Sequence, residues 1–323
     1  MAYTIDVHLS PDEVRSQMLA DALKGLQADQ KSIPPVWFYD ERGSRLFEDI
    51  TQLPEYYPTR AERALLQAHA SSIAELSKAD TLVELGAGAC EKTRVLLTAL
   101  QEFDLLARYV PFDVSDEFLR SAAAALAQEY DALDIHVVIG DFHQHLGEIP
   151  NEGRRMIAFL GGTIGNLNPA QRARFLFDLN CTMSSDDSLL IGTDLVKDRT
   201  RLVAAYDDAA GVTADFNRNV LHVLNEQLGA DFDPDRFRHV ALWNEDEQWI
   251  EMRLRAEEAS EVSLAGAGIT VRFEQGEEIL TEISAKFTPE RVERELSEAG
   301  FVIEGMWGAE EGEFLLTLAH PFC

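Results

Sequence analysis

Apolar residues along the chain gather into short runs that read as strands. The runs are TLVELG (81–86), RYVPFDVS (108–115), IHVVIGDF (135–142), RMIAFLGG (155–162) and SLLIGTDL (188–195). Between them the apolar positions change to helical spacing, as in Leu96, Leu97 and Leu100, then Phe118, Leu119 and Leu126. Strands that alternate with helices predict right-handed crossovers and a mostly parallel sheet, hence an α/β fold. Two further runs close the chain, GFVIEGMW (300–307) and EFLLTLAH (313–320), separated only by GAEEG. So short a connection predicts an antiparallel hairpin at the sheet edge, making seven strands in all.

The regular spacing breaks after the fifth run. Residues 197–286 begin with helical stretches (RLVAAYDDAA, FNRNVLHVLNEQL) and then alternate in the β manner at Ile250, Met252 and Leu254, and again at Ile269, Val271 and Phe273. TPERVERELSEAG (288–300) follows as a helix with Thr288 as cap and Pro289 at its first position. Residues 1–60 precede the first strand and are too many for a tail. The expected division is therefore a sheet domain of residues 61–196 plus 287–323, and a second, α+β lobe of residues 1–60 plus 197–286 that receives a substrate. Ligands of open α/β sheets bind at the carboxyl ends of the strands, where such a lobe is useful. The stretch TRAE (59–62) has the form of a capping box, with Thr59 as cap and Glu62 three residues on. It places LPEYYP (53–58) in a stiff connection just before a helix.

Composition adds exclusions. The chain has 323 residues, 46% apolar and 26% charged, an ordinary globular balance. It carries 28 Lys and Arg against 57 Asp and Glu, a net charge of −29. Such a surface repels phosphate backbones, so no nucleic-acid partner is expected, and small cationic or zwitterionic ligands are favoured. No apolar run approaches the roughly 20 residues a membrane span needs, and MAYTIDVHLSPDEV at the start does not have the form of a secretory signal. Cys90, Cys181 and Cys323 are scattered and form neither a disulfide framework nor a metal-ligand spacing. A reducing cytoplasm is the expected setting, and the absence of a coiled-coil pattern points to a monomer. His143 and His145 form an HxH pair without an evident third ligand, so they read as loop residues and no metal is expected.

Candidate chemistry begins at VELGAGACEKT (83–93), which follows the first strand and opens a helix. Gly86 and Gly88 allow a sharp turn and close approach to a ligand. Glu91 stands where a dinucleotide fingerprint has its third glycine, which argues against a dehydrogenase. The pattern of an acid, any residue, Gly, any residue, Gly instead resembles motif I of class I S-adenosylmethionine (AdoMet)-dependent methyltransferases. Asp113 ends the second strand, where a carboxylate accepts both ribose hydroxyls or caps a helix. Asp141 and Phe142 end the third, where an acid and an aromatic ring suit an adenine; the plainer reading is a turn acid and a core ring. Lys92 either meets the methionine carboxylate or is a solvated lysine. After the fourth strand, FLGGTIGNLNP (159–169) lacks the Asn/Asp-Pro-Pro-aromatic motif of base-amine methyltransferases. Its glycines allow close backbone approach, and Asn166 offers a donor and an acceptor to a small amine or carboxylate, unless it serves the turn before Pro169.

Several long stretches carry a more specific likeness. PPVWFYDERGSRLFEDITQLPEYYPTRAE (34–62), VELGAGACEKT, GGTIGNLNP, GTDLVKD (192–198), YDDAAGVTADFNRNVL (206–221) and GEEILTEISAKF (276–287) resemble the histidine-specific Nα-methyltransferases of ergothioneine biosynthesis (the EgtD family). The resemblance implies a class I AdoMet-dependent methyltransferase fold, Rossmann-like, with an additional substrate-binding lobe. It implies three successive methyl transfers from AdoMet to the α-amino nitrogen of L-histidine, giving hercynine, with S-adenosylhomocysteine as the other product. Residue by residue, it implies that Gly86, Lys92, Asp113, Asp141 and Phe142 hold AdoMet. Tyr56, Asn166 and Tyr206 would hold the carboxylate and amine end of the amino acid, Glu282 and Ser284 the imidazole, and Tyr39 would lie close to the reacting amine.

The chemistry of these residues fits that assignment. Alternation in ILTEISAKF puts Glu282, Ser284 and Lys286 on one face, with Ile283, Ala285 and Phe287 on the other. A carboxylate beside a hydroxyl can bond both ring nitrogens of an imidazole, whereas an indole has one N–H and a phenyl ring none. The plainer place for Glu282 is a solvent-facing strand position. Met252 either pads the ring pocket or fills the core. A tyrosine such as Tyr56 offers a hydroxyl at one end and a π face that tolerates a methylated ammonium, with Pro54 and Pro58 restricting its backbone. The competing readings are an Nα-methyltransferase of another aromatic amino acid such as tryptophan, and a non-catalytic AdoMet-binding protein.

Overall fold

The computed structural model describes residues 3–88, 90, 92–309 and 312–322. Glu91 and Cys323 lie outside the described residues, as do residues 310 and 311 of the GAEEG connection. In chain order the elements are β1 (Thr4–Val7), α1 (Pro11–Leu26), β2 (Lys31–Ser32), α2 (Glu41–Gln52), α3 (Pro58–Ser77), β3 (Thr81–Leu85), α4 (Thr93–Glu102), β4 (Arg108–Asp113), α5 (Asp116–Glu129) and β5 (Asp134–Ile139). There follow β6 (Arg155–Phe159), α6 (Pro169–Thr182), β7 (Ser188–Asp194), α7 (Arg199–Ala204), α8 (Val212–Leu228), β8 (Phe237–Asn244), β9 (Trp249–Ala256), β10 (Ser260–Leu264), β11 (Ile269–Phe273), β12 (Glu278–Ala285), α9 (Pro289–Glu298), β13 (Phe301–Gly308) and β14 (Phe314–Pro321).

The chain divides into two compact units: residues 1–9, 58–197 and 285–323 form one, residues 10–57 and 198–284 the other. The first is built on an eight-stranded sheet in the order β1-β5-β4-β3-β6-β7-β14-β13. The first six strands pair in parallel; β14 runs antiparallel to both β7 and β13, so the closing hairpin lies at one edge. β3, β6 and β7 are buried along their whole length, which is why they read as unbroken apolar runs. The order reverses beside β3, which has β4 on one side and β6 on the other. Open α/β sheets bind ligands in the crevice at such a reversal.

Two sequence expectations need correction. The sheet has eight strands rather than seven, because β1 adds to the far edge, with Thr4 opposite His136 and Val7 opposite Ile139. Residues 1–9 therefore belong with the sheet and not with residues 10–57. Four mostly exposed residues carry too little alternation to be read as a strand. Thr59 is also not a helix cap: α3 starts at Pro58, and Glu62 is wholly buried in its first turns. The Thr288 cap of α9 does form, its side chain accepting the Arg291 N–H.

The second unit packs α1, α2, α7 and α8 with a four-stranded sheet ordered β2-β12-β9-β8 and a separate β10-β11 hairpin. Its core includes Phe38, Phe216, Val220, Leu224, Ile250 and Leu254. On α8, Asn217 shares its face with Val220, Leu221 and Leu224 and is itself fully buried. A buried amide on an apolar helix face needs partners, and those partners are part of the site described next.

Candidate active site

In the first unit, β3 ends in a loop whose Gly86 and Gly88 have φ of 70° and 50°. Both backbone conformations are costly for residues with a Cβ. A Cβ built at either glycine meets nothing within 4 Å, so the loop surface is open enough to take a ligand against bare backbone. Asp113, at the end of β4, turns its carboxylate onto this loop. The Gly88 N–H donates to its Oδ2 at 3.0 Å and the Ser115 N–H to its Oδ1 at 3.0 Å. Burial pushes the Asp113 carboxyl up, and the N–H bonds oppose that push. The Val114 N–H and the Ser115 side chain also bond this carboxylate, and an acid at the end of such a strand is of the type that accepts a ribose diol.

Beneath the loop lies a buried acid. Glu84 Oε2 accepts from the Thr93 hydroxyl, and the Tyr109 hydroxyl stands 2.7 Å from it and 3.2 Å from Cys90 Sγ. Burial raises the Glu84 carboxyl from 4.5 to about 7, against the lowering effect of the Thr93 and Tyr109 hydrogen bonds. The same burial pushes the Cys90 thiol well up, so it is not a nucleophile.

Asp141 follows β5. Its Oδ1 accepts the His143 N–H at 2.8 Å and its Oδ2 the Gln144 side-chain amide at 3.1 Å, so the carboxylate is engaged with its own turn. Phe142 packs edge-on against Phe159 and Phe175, with centroids 5.3 and 5.8 Å away. Its other surroundings include a cavity of about 320 Å³ shared with His143, Leu146, Ala170 and Arg174. Burial lowers the His143 imidazole below its usual range, and among the described residues no cluster of His, Cys, Asp and Glu could hold a metal ion. Asn168, not Asn166, caps α6, in a reciprocal pair with Gln171. Asn166 ends the short 3-10 turn 163–166 of the same loop. Gly165 beside it touches the backbone of Ala285, where a Cβ would stand 2.8 Å from the carbonyl oxygen.

The second unit brings together most of the other candidates. The Tyr206 hydroxyl and Ser284 Oγ are 2.8 Å apart. Tyr56 meets the Tyr206 ring edge-on at 6.1 Å and Phe47 at 6.3 Å; Tyr39 meets Phe47 at 5.8 Å and Phe216 at 5.6 Å. Met252 lies in the same apolar core as Tyr56 and Tyr206. Glu282 and Ser284 retain 8% and 6% of their exposure, so neither is a solvated strand position.

A polar chain behind Tyr206 escaped the reading of the sequence. The Thr281 hydroxyl donates to Asn217 Oδ1 at 2.7 Å, and Asn217 Nδ2 lies 2.8 Å from His239 Nδ1. His239 Nε2 lies 2.8 Å from the Tyr206 carbonyl oxygen. These contacts require the Nε2–H tautomer, with Nδ1 accepting from the amide. Burial pulls the His239 imidazole below its ordinary value. The one available signal was an asparagine at the apolar spacing of α8.

A family described as "Histidine-specific methyltransferase, SAM-dependent" matches residues 18–321 of this chain. The chain belongs to that family. Among similar members, the histidine N-alpha-methyltransferase of Mycolicibacterium smegmatis is 54% identical over 319 residues, covering 99% of both chains. The protein of the same description from Mycobacterium tuberculosis is 52% identical over the same share. Ergothioneine biosynthesis protein 1 of Neurospora crassa is 32% identical over 295 residues, covering 89% of this chain and 33% of the fungal protein. In this family setting the glycine loop, the open backbone at Gly86 and Gly88 and the paired Asp113 oxygens fit AdoMet, which has a diol and an amino-acid end to be held.

Proposed function

We infer that the chain is an AdoMet-dependent L-histidine Nα-methyltransferase producing hercynine, a step of ergothioneine biosynthesis. The observation that carries the choice of histidine is the buried pair on β12: Glu282, and Ser284 bonded to Tyr206. A buried acid beside a buried alcohol suits a ligand with two ring nitrogens. A tryptophan side chain would leave one of them unpaired, at a cost of roughly 1–3 kcal/mol.

Roles follow for this chain's residues. Gly86, Lys92, Asp113, Asp141 and Phe142 bind the donor; Tyr56, Asn166 and Tyr206 hold the carboxylate and amine end of histidine; Glu282 and Ser284 hold its imidazole against Met252. When bound, AdoMet supplies a methyl group on an already activated sulfonium, so the chain need only orient a neutral amine towards it. An α-ammonium must lose a proton before each transfer, and after the third the nitrogen has no lone pair left. Tyr39 orients the amine, alone or through a water. A phenol near pKa 10 is too weakly basic at neutral pH to serve as the full base. Aromatic faces of this unit, that of Tyr56 among them, accommodate the growing methylammonium, an attraction of roughly 0.5–2 kcal/mol. Among the described residues no helix is long and apolar enough to cross a membrane. We read the enzyme as a cytoplasmic monomer with a small-molecule substrate.

Incubation with AdoMet and single amino acids, followed by mass spectrometry, tests the function. Histidine gaining three methyl groups is the expected result. Preferred methylation of tryptophan, or none of histidine, overturns it.

A further inference from the structure

We propose that Glu62 is a positioning residue for the donor site, acting by clamping the Lys92 ammonium to the loop that follows β6. Glu62 projects from the first turns of α3 and is wholly buried. Its Oε1 accepts the Gly161 N–H at 2.7 Å, and its Oε2 is paired with Lys92 Nζ. Lys92 Nζ in turn lies 3.5 Å from where a Cβ of Gly161 would stand. One carboxylate thus ties together the two loops that leave β3 and β6, the neighbouring strands at the reversal of strand order.

The sheet is adapted to receive that carboxylate. Gly192 sits inside β7, a strand buried throughout, where a missing side chain weakens packing. A Cβ there would come within 2.2 Å of Glu62 Oε1. The chain forgoes a core side chain at 192 and accepts a buried charge at 62, and the charge is matched by an ammonium and a backbone N–H. Lysine has a flexible four-carbon stem, so an unpaired Lys92 would sample many positions. With Glu62 holding one of its protons, the ammonium keeps a fixed place and its other protons remain for an anionic group. The inference rests on the reading of Lys92 as the partner of the AdoMet carboxylate.

Charge alone predicts the opposite sign, since removing a negative group beside a lysine should tighten its grip on an anion. The deciding experiment is a double-mutant cycle on the binding of S-adenosylhomocysteine, measured by calorimetry without histidine, so that the identity of the acceptor does not enter. Glu62→Gln and Lys92→Met should each weaken binding about tenfold, and the double variant should be no weaker than Lys92→Met alone. The thermal midpoint of each variant is read alongside. If Glu62→Gln does not fold, Glu62→Asp, which keeps the charge but shortens its reach, enters the same cycle with the same expectation. Fold-changes that multiply, or unchanged or tighter binding by the Glu62 variant, overturn the clamp while leaving the role of Lys92 intact. Unchanged binding by Lys92→Met removes the role of Lys92, and the clamp with it.

Discussion

The two units hold their candidate residues by different means. In the first, backbone takes a large share: the N–H groups of Gly88 and Ser115 hold Asp113, and that of Gly161 joins Lys92 in holding Glu62. In the second, side chains hold side chains: Tyr206 with Ser284, Thr281 with Asn217, Asn217 with His239, and aromatic edges throughout. Backbone donors come with the loop and need only glycine to expose them. Side-chain networks need several distant positions to agree. The first arrangement suits a donor shared by a whole class of enzymes; the second can be tuned to one amino acid.

The largest expected effect breaks the backbone-held side. On the proposed role, Asp113→Ala removes two charge-assisted acceptors of the ribose, each about 1.5–3 kcal/mol. It should weaken AdoMet binding by roughly a hundredfold or more in a calorimetric titration. Retention of binding within a few-fold would remove Asp113 from the donor site.

The next prediction uses the opposite pH responses of the two units. Glu84 keeps its proton up to about pH 7 in the fold but only to 4.5 as an ordinary carboxyl. Between those values the folded state binds more protons than the unfolded chain, so stability falls as pH rises through the window. The difference corresponds to roughly 3 kcal/mol as an upper figure. Glu84→Gln should therefore be the more stable protein at pH 8, and its advantage over wild type should shrink as pH falls to 4.5, measured by urea unfolding. His239 has the opposite sense. Its imidazole is lowered in the fold, so the unfolded chain takes up a proton first and stability is lost as pH falls below about 6.5. His239→Gln should flatten that acid limb and leave the Glu84 limb unchanged.

A smaller effect sharpens the acceptor side. Ser284→Ala removes the hydrogen bond between Ser284 and the Tyr206 hydroxyl, worth roughly 1 kcal/mol. It should raise KM for histidine at least fivefold while AdoMet binding stays within twofold. Tyr206→Phe combined with Ser284→Ala should cost less than the two single losses together, because both remove one bond. The smallest expected change is in Tyr39→Phe, a few-fold decrease in kcat spread over the three transfers by mass-resolved product analysis. Unchanged rates for all three would remove the phenol from the reaction.

Much of the first unit was legible in advance, and the residues show why. Leu82, Val83 and Leu85 form a run of apolar side chains because β3 is buried on both faces, and Gly86 with Gly88 marks the turn that follows. Glu62 was misread because S/T-x-x-E is a local signature, while its actual partners are thirty residues away at Lys92 and ninety-nine at Gly161. Asn217 and His239 gave almost no signal, since one buried amide on a helix looks like any polar interruption of an apolar stripe.

Local order in the chain specifies the strand-and-helix alternation, the glycine turn after the first long strand, the acids at the ends of the next two strand runs, and the existence of a second unit. Each of these is written in neighbouring residues, through periodicity or through the backbone freedom of glycine. Long-range packing is what makes Thr4–Val7 extend the sheet, turns Glu62 from a helix cap to Lys92, and brings Tyr206 to Ser284. Those outcomes depend on which distant side chains arrive at the same point, and a buried polar group takes whichever partner the packing brings within reach.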